Sequence, residues 1–458
     1  MKMFKSLFII YFLTVLFSND VILADEQSLI NDSGMISELP NGLKFFVDVN
    51  DEEEISDIAV KFRVLDRSAV QYDYFDLKDS KSSNRKEYYF NTSAANSYIP
   101  PGSLVEYYFE IFNSDNESIK TDPVISRVLD SRFEWDSVKS DNIEVFFHGP
   151  VRKRALRILN SAENLNTIMK DILTSSKFNN IVVTMYNNNA EMFDAIVHKS
   201  SKQSRELITE GQAFDRENVV LVQGAGRRSV GTATHELTHV LVARASKGSL
   251  LGVPLWLNEG LAEYGNLDPG HSYDRFLEWA VDTERLMPFT SLNRFPGEPS
   301  LTIVAYGQSK NFVEFIINKY GADKIQKILD QLSEGKKING SFESVLGLDL
   351  IEVENLWRKE IGAKPLKMIN TEIKPKQGGT VPILKPYSLT PEPKDSKLTE
   401  KIQDDEKVEV QEEIVRESSS CNASGGKSID ISFLVLIGLI IVRLLFRKSK
   451  LVLPKRVF

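Results

Sequence analysis

Cysteine is nearly absent from this chain of 458 residues: only Cys421 is present, so no intrachain disulfide can form and no cysteine-rich metal site can be built. Histidine is scarce too, with five copies, so a bound metal would have to be held by a few histidines together with aspartate or glutamate. A basic excess is missing, the formal net charge being −8, and no basic stripe with interleaved aromatics occurs. Nucleic acid is therefore not an expected partner. What is present is 42% hydrophobic and 10% aromatic residues, enough to fill real cores, in a chain too long for one average domain. Two folded domains plus tails are expected.

The two ends organise the chain. Residues 1–24 read as a signal peptide: Lys2 and Lys5, an apolar run from Leu7 to Phe17, and a cleavage point at Ala24. The run is short for a membrane span, and an uncleaved anchor is the alternative. At the other end, Ile431–Phe446 (ISFLVLIGLIIVRLLF) is apolar apart from Ser432 and Arg443, and a basic tail fills 447–458. The tail charges belong on the cytoplasmic side, which leaves everything before Ile431 outside. Upstream lies Ser418–Gly426 (SSSCNASGG). This patch, the apolar segment and the basic tail together resemble bacterial C-terminal sorting signals of the GlyGly or cysteine-containing type. In that case Cys421 is a lipidation site; otherwise it is a bystander thiol. Residues 363–427 are rich in Lys, Glu, Pro and Ser and are expected to form a disordered tether.

Between the tails the pattern changes once. From 25 to 130 the chain reads as β: Ile58–Leu65, Glu87–Phe90 and Leu104–Phe112 are short aromatic and β-branched runs separated by turn residues. Alternation in Leu104–Phe112 looks only partial, which predicts cover on both faces. Pro100–Asp115 resembles the late strands of fibronectin-III or immunoglobulin-like sandwiches, so an accessory β-sandwich is expected, with a plain spacer as its simplest role. From 133 to 362 three strands (Ile143–Phe147, Ile181–Met185, Asn218–Gln223) and a helix over Arg152–Leu173 precede a helical half that includes Ser309–Tyr320, Ala322–Leu332 and Ile351–Ile361. Strands first and helices after predict an α+β domain.

The chemistry lies in Gly231–Val240, GTATHELTHV. His235 and His239 are four residues apart, so in a helix both imidazoles leave one face and can grip one ion. Glu236 stands beside the first of them, in reach of a water on that ion. Such a motif also arises by chance as a buried helix with two satisfied histidines. A third ligand discriminates. Pro254–Tyr264, PLWLNEGLAEY, predicts a second helix with Leu257, Leu261 and Tyr264 as its apolar stripe, and it carries Glu259.

HExxH followed by a glutamate on a second helix is the gluzincin pattern. The WLNEGLAEY wording closely resembles aminopeptidase-N-like and peptidase-MA-like domains, more distantly thermolysin, over Phe133 to Gly362. The resemblance implies an α+β zincin-like fold and Zn2+ held by His235, His239 and Glu259, with the fourth position open for water. It implies Glu236 as the general base and Glu263, one turn after Glu259, as the residue that orients His235. Ala305–Ser309 (AYGQS) resembles the helix start that carries a catalytic tyrosine in the aminopeptidases, which makes Tyr306 the candidate stabiliser of the oxyanion. The family's Glu-Lys-Gly after that tyrosine is here Gly-Gln-Ser. His271 is an alternative donor.

The Gly-x-Met-Glu-Asn strand of the aminopeptidases is absent, and Asn218–Gly226 (NVVLVQGAG) stands in its expected place. Without a glutamate for a free amino terminus, endopeptidase action on an extended peptide or protein substrate is expected. The competing reading is a non-catalytic surface-binding or envelope-assembly protein with a structural zincin-like domain. Retention of Glu236 beside all three ligands argues against it.

Overall fold

The computed structural model describes residues 29–366, apart from 51–54, 78–83, 116, 197–209, 225, 227, 249 and 271. The expected signal peptide, the apolar segment 431–446, the basic tail, Cys421, His271 and nearly all of the tether lie outside the described residues. Among the described residues no helix is long and apolar enough to cross a membrane.

The first unit is two antiparallel sheets on one core. Strands β1 (Ile30–Glu38), β2 (Gly42–Val49) and β5 (Arg85–Asn91) form one sheet in the order β1-β2-β5. The other holds β4 (Gln71–Tyr74), β3 (Ile55–Val64) and β6 (Leu104–Asn113), with β7 (Ser118–Lys120) and β8 (Val124–Arg127) sharing the far edge of β6. Strand β2 shows why they stack: in GLKFFVDV the residues Leu43, Phe45, Val47 and Val49 all face inward and are at most 1% exposed. Period-two alternation puts them on one face. They meet Val105, Tyr107, Phe109 and Ile111 of β6, and the Phe45 ring lies 4.8 Å from Phe62 and 5.6 Å from Tyr107. Each such side chain contributes about 1.5–3 kcal/mol by leaving water.

The expectation of cover on both faces of β6 is corrected. Its alternation is regular, and Glu106, Tyr108 and Glu110 point to the outer face, where they stay partly exposed. Strands β1, β2, β4, β7 and β8 fall outside the runs legible in the sequence.

The second unit is a five-stranded mixed sheet covered by helices. Its order is β12-β13-β11-β10-β9, from β9 (Trp135–Lys139), β10 (Ile143–His148), β11 (Ile181–Tyr186), β12 (Gly211–Phe214) and β13 (Val219–Gln223). β10, β11 and β13 are mutually parallel, while β9 and β12 are antiparallel edges. The inner strands read IVVTMY and VVLVQ without alternation because both their faces are covered. Val183, Met185, Val220 and Val222 join the helical core, and Val182, Tyr186, Val219 and Leu221 pack on the opposite side. Helix α1 (Arg152–Met169) makes the β10-to-β11 crossover and buries Ala155, Ile158, Leu159, Ala162, Leu165 and Met169. The α+β expectation thus holds with a parallel crossover at its centre.

Helix α2 (Asn189–Ala195) packs on the opposite face, and the rest is helical: α3 (Ser229–Ala245), α4 (Leu255–Gly265), α5 (Asp274–Asp282), α6 (Pro299–Tyr320), α7 (Asp323–Ser333), α8 (Ile338–Leu346) and α9 (Leu350–Glu360). Two of these must lie close for the histidines and Glu259 to meet. Gly265 permits it: a methyl group there would fall 2.1 Å from Thr238 Oγ1 of α3. Helix α6 corrects a boundary. It begins at Pro299, whose fixed φ suits a first helical turn, so Tyr306 lies inside the helix rather than at its start.

The two units are in direct contact. Tyr98 Oη donates to the Ala195 carbonyl (3.0 Å) and Thr184 Oγ1 to the Pro101 carbonyl (2.8 Å). Asp130, with no exposed surface, accepts from Arg132 (2.7 and 2.9 Å) and from Tyr186 Oη (3.0 Å). Arg132 reaches on to Asp194 (3.2 Å), and Arg67 pairs with Glu217.

Candidate metal centre

His235 and His239 are in the middle of α3, one turn apart, with ring centroids 4.9 Å from each other. The helix forms here because an uninterrupted apolar stripe (Ala233, Leu237, Val240, Leu241) anchors its inner face to the core. Helix α4 starts at the N-cap Pro254 and is covered on both faces, Leu257 and Leu261 on one and Trp256, Glu259 and Glu263 on the other. One donor atom each from His235, His239 and Glu259 lies within 4.8 Å of the others. Glu259 Oε2 is 3.5 Å from His235 Nε2 and 3.6 Å from His239 Nε2. Adjacent corners of a tetrahedron with arms of about 2 Å are separated by roughly 3.3 Å, so this donor set fits a zinc ion.

Both imidazoles are held from behind. His235 Nδ1 is 3.0 Å from Glu263 Oε1, and His239 Nδ1 is 3.1 Å from Asn258 Oδ1. Each acceptor fixes the proton on Nδ1 of the neutral ring and leaves the Nε2 lone pair facing Glu259, the tautomer a metal ligand needs. Glu263 is where the sequence placed it. Asn258 was missed, although it adjoins Glu259 in the same motif; only the return of α4 onto α3 shows which histidine it meets.

Within the cluster, burial and the opposite charges of its neighbours act against each other. Burial alone would depress the His235 pKa, but hydrogen bonds and charge from Glu259 and Glu263 outweigh it and hold the imidazole well above its ordinary 6.5. Burial alone would raise Glu259; the charge of His239 and the contact with His235 bring it below the usual carboxylate range. Glu263 is likewise lowered against burial, chiefly by its hydrogen bond to His235.

Glu236 points toward the sheet edge. A methyl group on Gly211 of β12 would lie 2.7 Å from Glu236 Cγ, so the candidate base stands directly against the strand that ends this sheet among the described residues. Asn218–Gly226 includes β13, an inner strand between β12 and β11, and the edge is Gly211–Phe214.

Tyr306 packs edge-on against Phe295 (4.8 Å between centroids) and is close enough to Tyr273 to affect its ionisation. Two residues of the departure from the family wording have packing roles: Gln308 bridges the backbone N–H (3.1 Å) and carbonyl (2.8 Å) of Met287, and Ser309 is fully buried.

No curated protein matches this chain. Among solved structures, similar ones include the bromine derivative of BhCBM56 (13% identical over 21% of this chain and 88% of that one, TM-score 0.16). Another is a myokine (10%, 22% and 97%, TM-score 0.18). A third is a polysaccharide deacetylase from Bacillus cereus (9%, 35% and 52%, TM-score 0.18), of which this chain spans about half the length. These TM-scores are far too low to establish a shared fold. Residues 146–363, most of the second unit, match the model of the peptidase MA superfamily, which supports a zincin-like peptidase domain there.

Proposed function

We propose that the protein is a zinc-dependent metallopeptidase, an endopeptidase that acts outside the cytoplasmic membrane. The observation that carries the reading is the convergence of His235, His239 and Glu259, with Glu236, next to His235 on the same helix, packed against Gly211 of β12. His235, His239 and Glu259 would hold the ion, with Glu263 and Asn258 fixing the imidazoles. Zinc, when bound, supplies the positive charge that acidifies water and polarises a carbonyl. Glu236 takes the proton of the attacking water and passes it to the leaving amine. Tyr306 donates to the oxyanion as it forms.

An extended substrate pairs with β12, which has no strand partner on its outer side among the described residues. The order β1-β2-β5 against β4-β3-β6 supports an immunoglobulin or fibronectin-III type for the first unit. Export and anchoring by the terminal segments complete the proposal, supported by their charge and hydropathy.

The test uses the full chain in detergent: metal content is measured, and cleavage of an unfolded protein is compared with that by Glu236→Gln. Stoichiometric zinc in both, with activity lower by about 10²–10⁴-fold in the variant, is expected for loss of a general base. Equal activity in the two proteins, or a folded wild type that takes up no zinc, would overturn the reading.

A further inference from the structure

The carboxylate behind the first histidine is itself held. Glu263 gives Oε1 to His235 Nδ1 at 3.0 Å, and Asn266 Nδ2 donates to its Oε2 at 3.3 Å. A third partner is the hydroxyl of Tyr273, hydrogen-bonded to the same carboxylate. We propose that Tyr273 is a positioning residue of the metal centre: its phenol fixes Glu263, Glu263 fixes the His235 imidazole, and Gly307 is the seat on which the tyrosine rests. The inference deepens the zinc-peptidase reading and rests on it.

A carboxylate held only by one histidine can still turn about its last torsion, and the imidazole would turn with it. Donors arriving from three places remove that freedom. His235 comes from α3, Asn266 from the end of α4, and Tyr273 from the residue before α5. Tyr273 is well placed for this because α5 is anchored: Phe276, Leu277, Trp279 and Ala280 are buried in the main core.

The other wall is α6. A methyl group on Gly307 would lie 2.8 Å from Tyr273 Cβ and 3.2 Å from its ring, so any larger residue there pushes the tyrosine off its position. Glycine inside a 22-residue helix is less favourable than alanine, and the close approach of Tyr273 gives that choice a reason. Because Tyr273 acts through Glu263, on the Nδ1 side of His235, it orients a ligand and is not a catalytic residue.

The experiment measures zinc affinity of the full chain by competition with a chelator of known affinity, for wild type, Tyr273→Phe and Gly307→Ala. Melting of each metal-free protein is followed alongside. Loss of a group behind a metal ligand weakens binding by about tenfold at the lower end of such effects, so each variant should lose roughly that factor while still melting cooperatively. Gly307→Ala keeps the phenol and only displaces it, so it decides the matter if Tyr273→Phe does not fold. Wild-type affinity in a folded variant overturns the inference while leaving the zinc-peptidase reading intact. A wild type that binds no zinc removes both.

Discussion

The sandwich and the peptidase unit solve the problem of burial in different ways. In the sandwich, the core from Leu39 to Val128 is almost wholly apolar and made by strands with one wet face. In the peptidase unit, strands β11 and β13 are apolar on both faces, and carboxylates are buried among the helices: Glu259, Glu263 and Glu354 are at most 7% exposed. The three are not alike. Glu354 forms an ion pair with Arg358 (2.8 Å) and accepts the Phe289 N–H (3.0 Å), yet burial still raises its pKa. Glu259 and Glu263 are pulled the other way by the histidines, against burial. A buried carboxylate is thus no sign of a metal site in itself. What distinguishes the site is two carboxylates sharing two imidazoles.

The sharpest probe of the contrast is the sandwich core. Phe45→Ala should destabilise that unit by about 3–5 kcal/mol, read by chemical denaturation, and leave the zinc stoichiometry of folded protein unchanged. Loss of zinc binding in folded Phe45→Ala would show that the metal site depends on the sandwich. The junction comes next. Asp130→Ala leaves Arg132 and Tyr186 without their shared buried acceptor and should cost about 3 kcal/mol. It should also split a single unfolding transition into two, if Asp130 is what makes the units cooperative. One unbroken transition at wild-type stability would deny that role.

The smallest effect is that of pH. A raised His235 stabilises the metal-free fold fully below its unfolded value near 6.5, and this is lost as pH rises through the raised folded value. Lowered Glu259 and Glu263 stabilise above their unfolded value near 4.5, and this is lost as pH falls through the lowered folded values. The metal-free site therefore contributes most between about pH 4.5 and 6.5. Zinc requires neutral His235, so its binding strengthens as the pH rises through the raised folded value. The gap in melting temperature between zinc-loaded and metal-free protein should widen across that range; a constant gap would show that His235 gives up no proton to the metal.

The sequence by itself determined the main helices, the inner strands of the second unit and the spacing of the motif residues. HExxH on a helix fixes which face two histidines share, because 3.6 residues per turn leaves no other arrangement, and WLNEGLAEY carries Glu259 and Glu263 at one-turn spacing for the same reason. The long apolar strands β11 and β13 were legible from composition. What only the tertiary structure decided are relations between segments far apart in the chain. Gly211 beside Glu236, Asn258 behind His239 and Tyr273 seated on Gly307 each join residues from different elements. So does Asp130 under Tyr186, which binds the sandwich to the peptidase sheet. Periodicity specifies how neighbours along one helix or strand are arranged, whereas these contacts depend on how elements pack and cross, which no local pattern encodes.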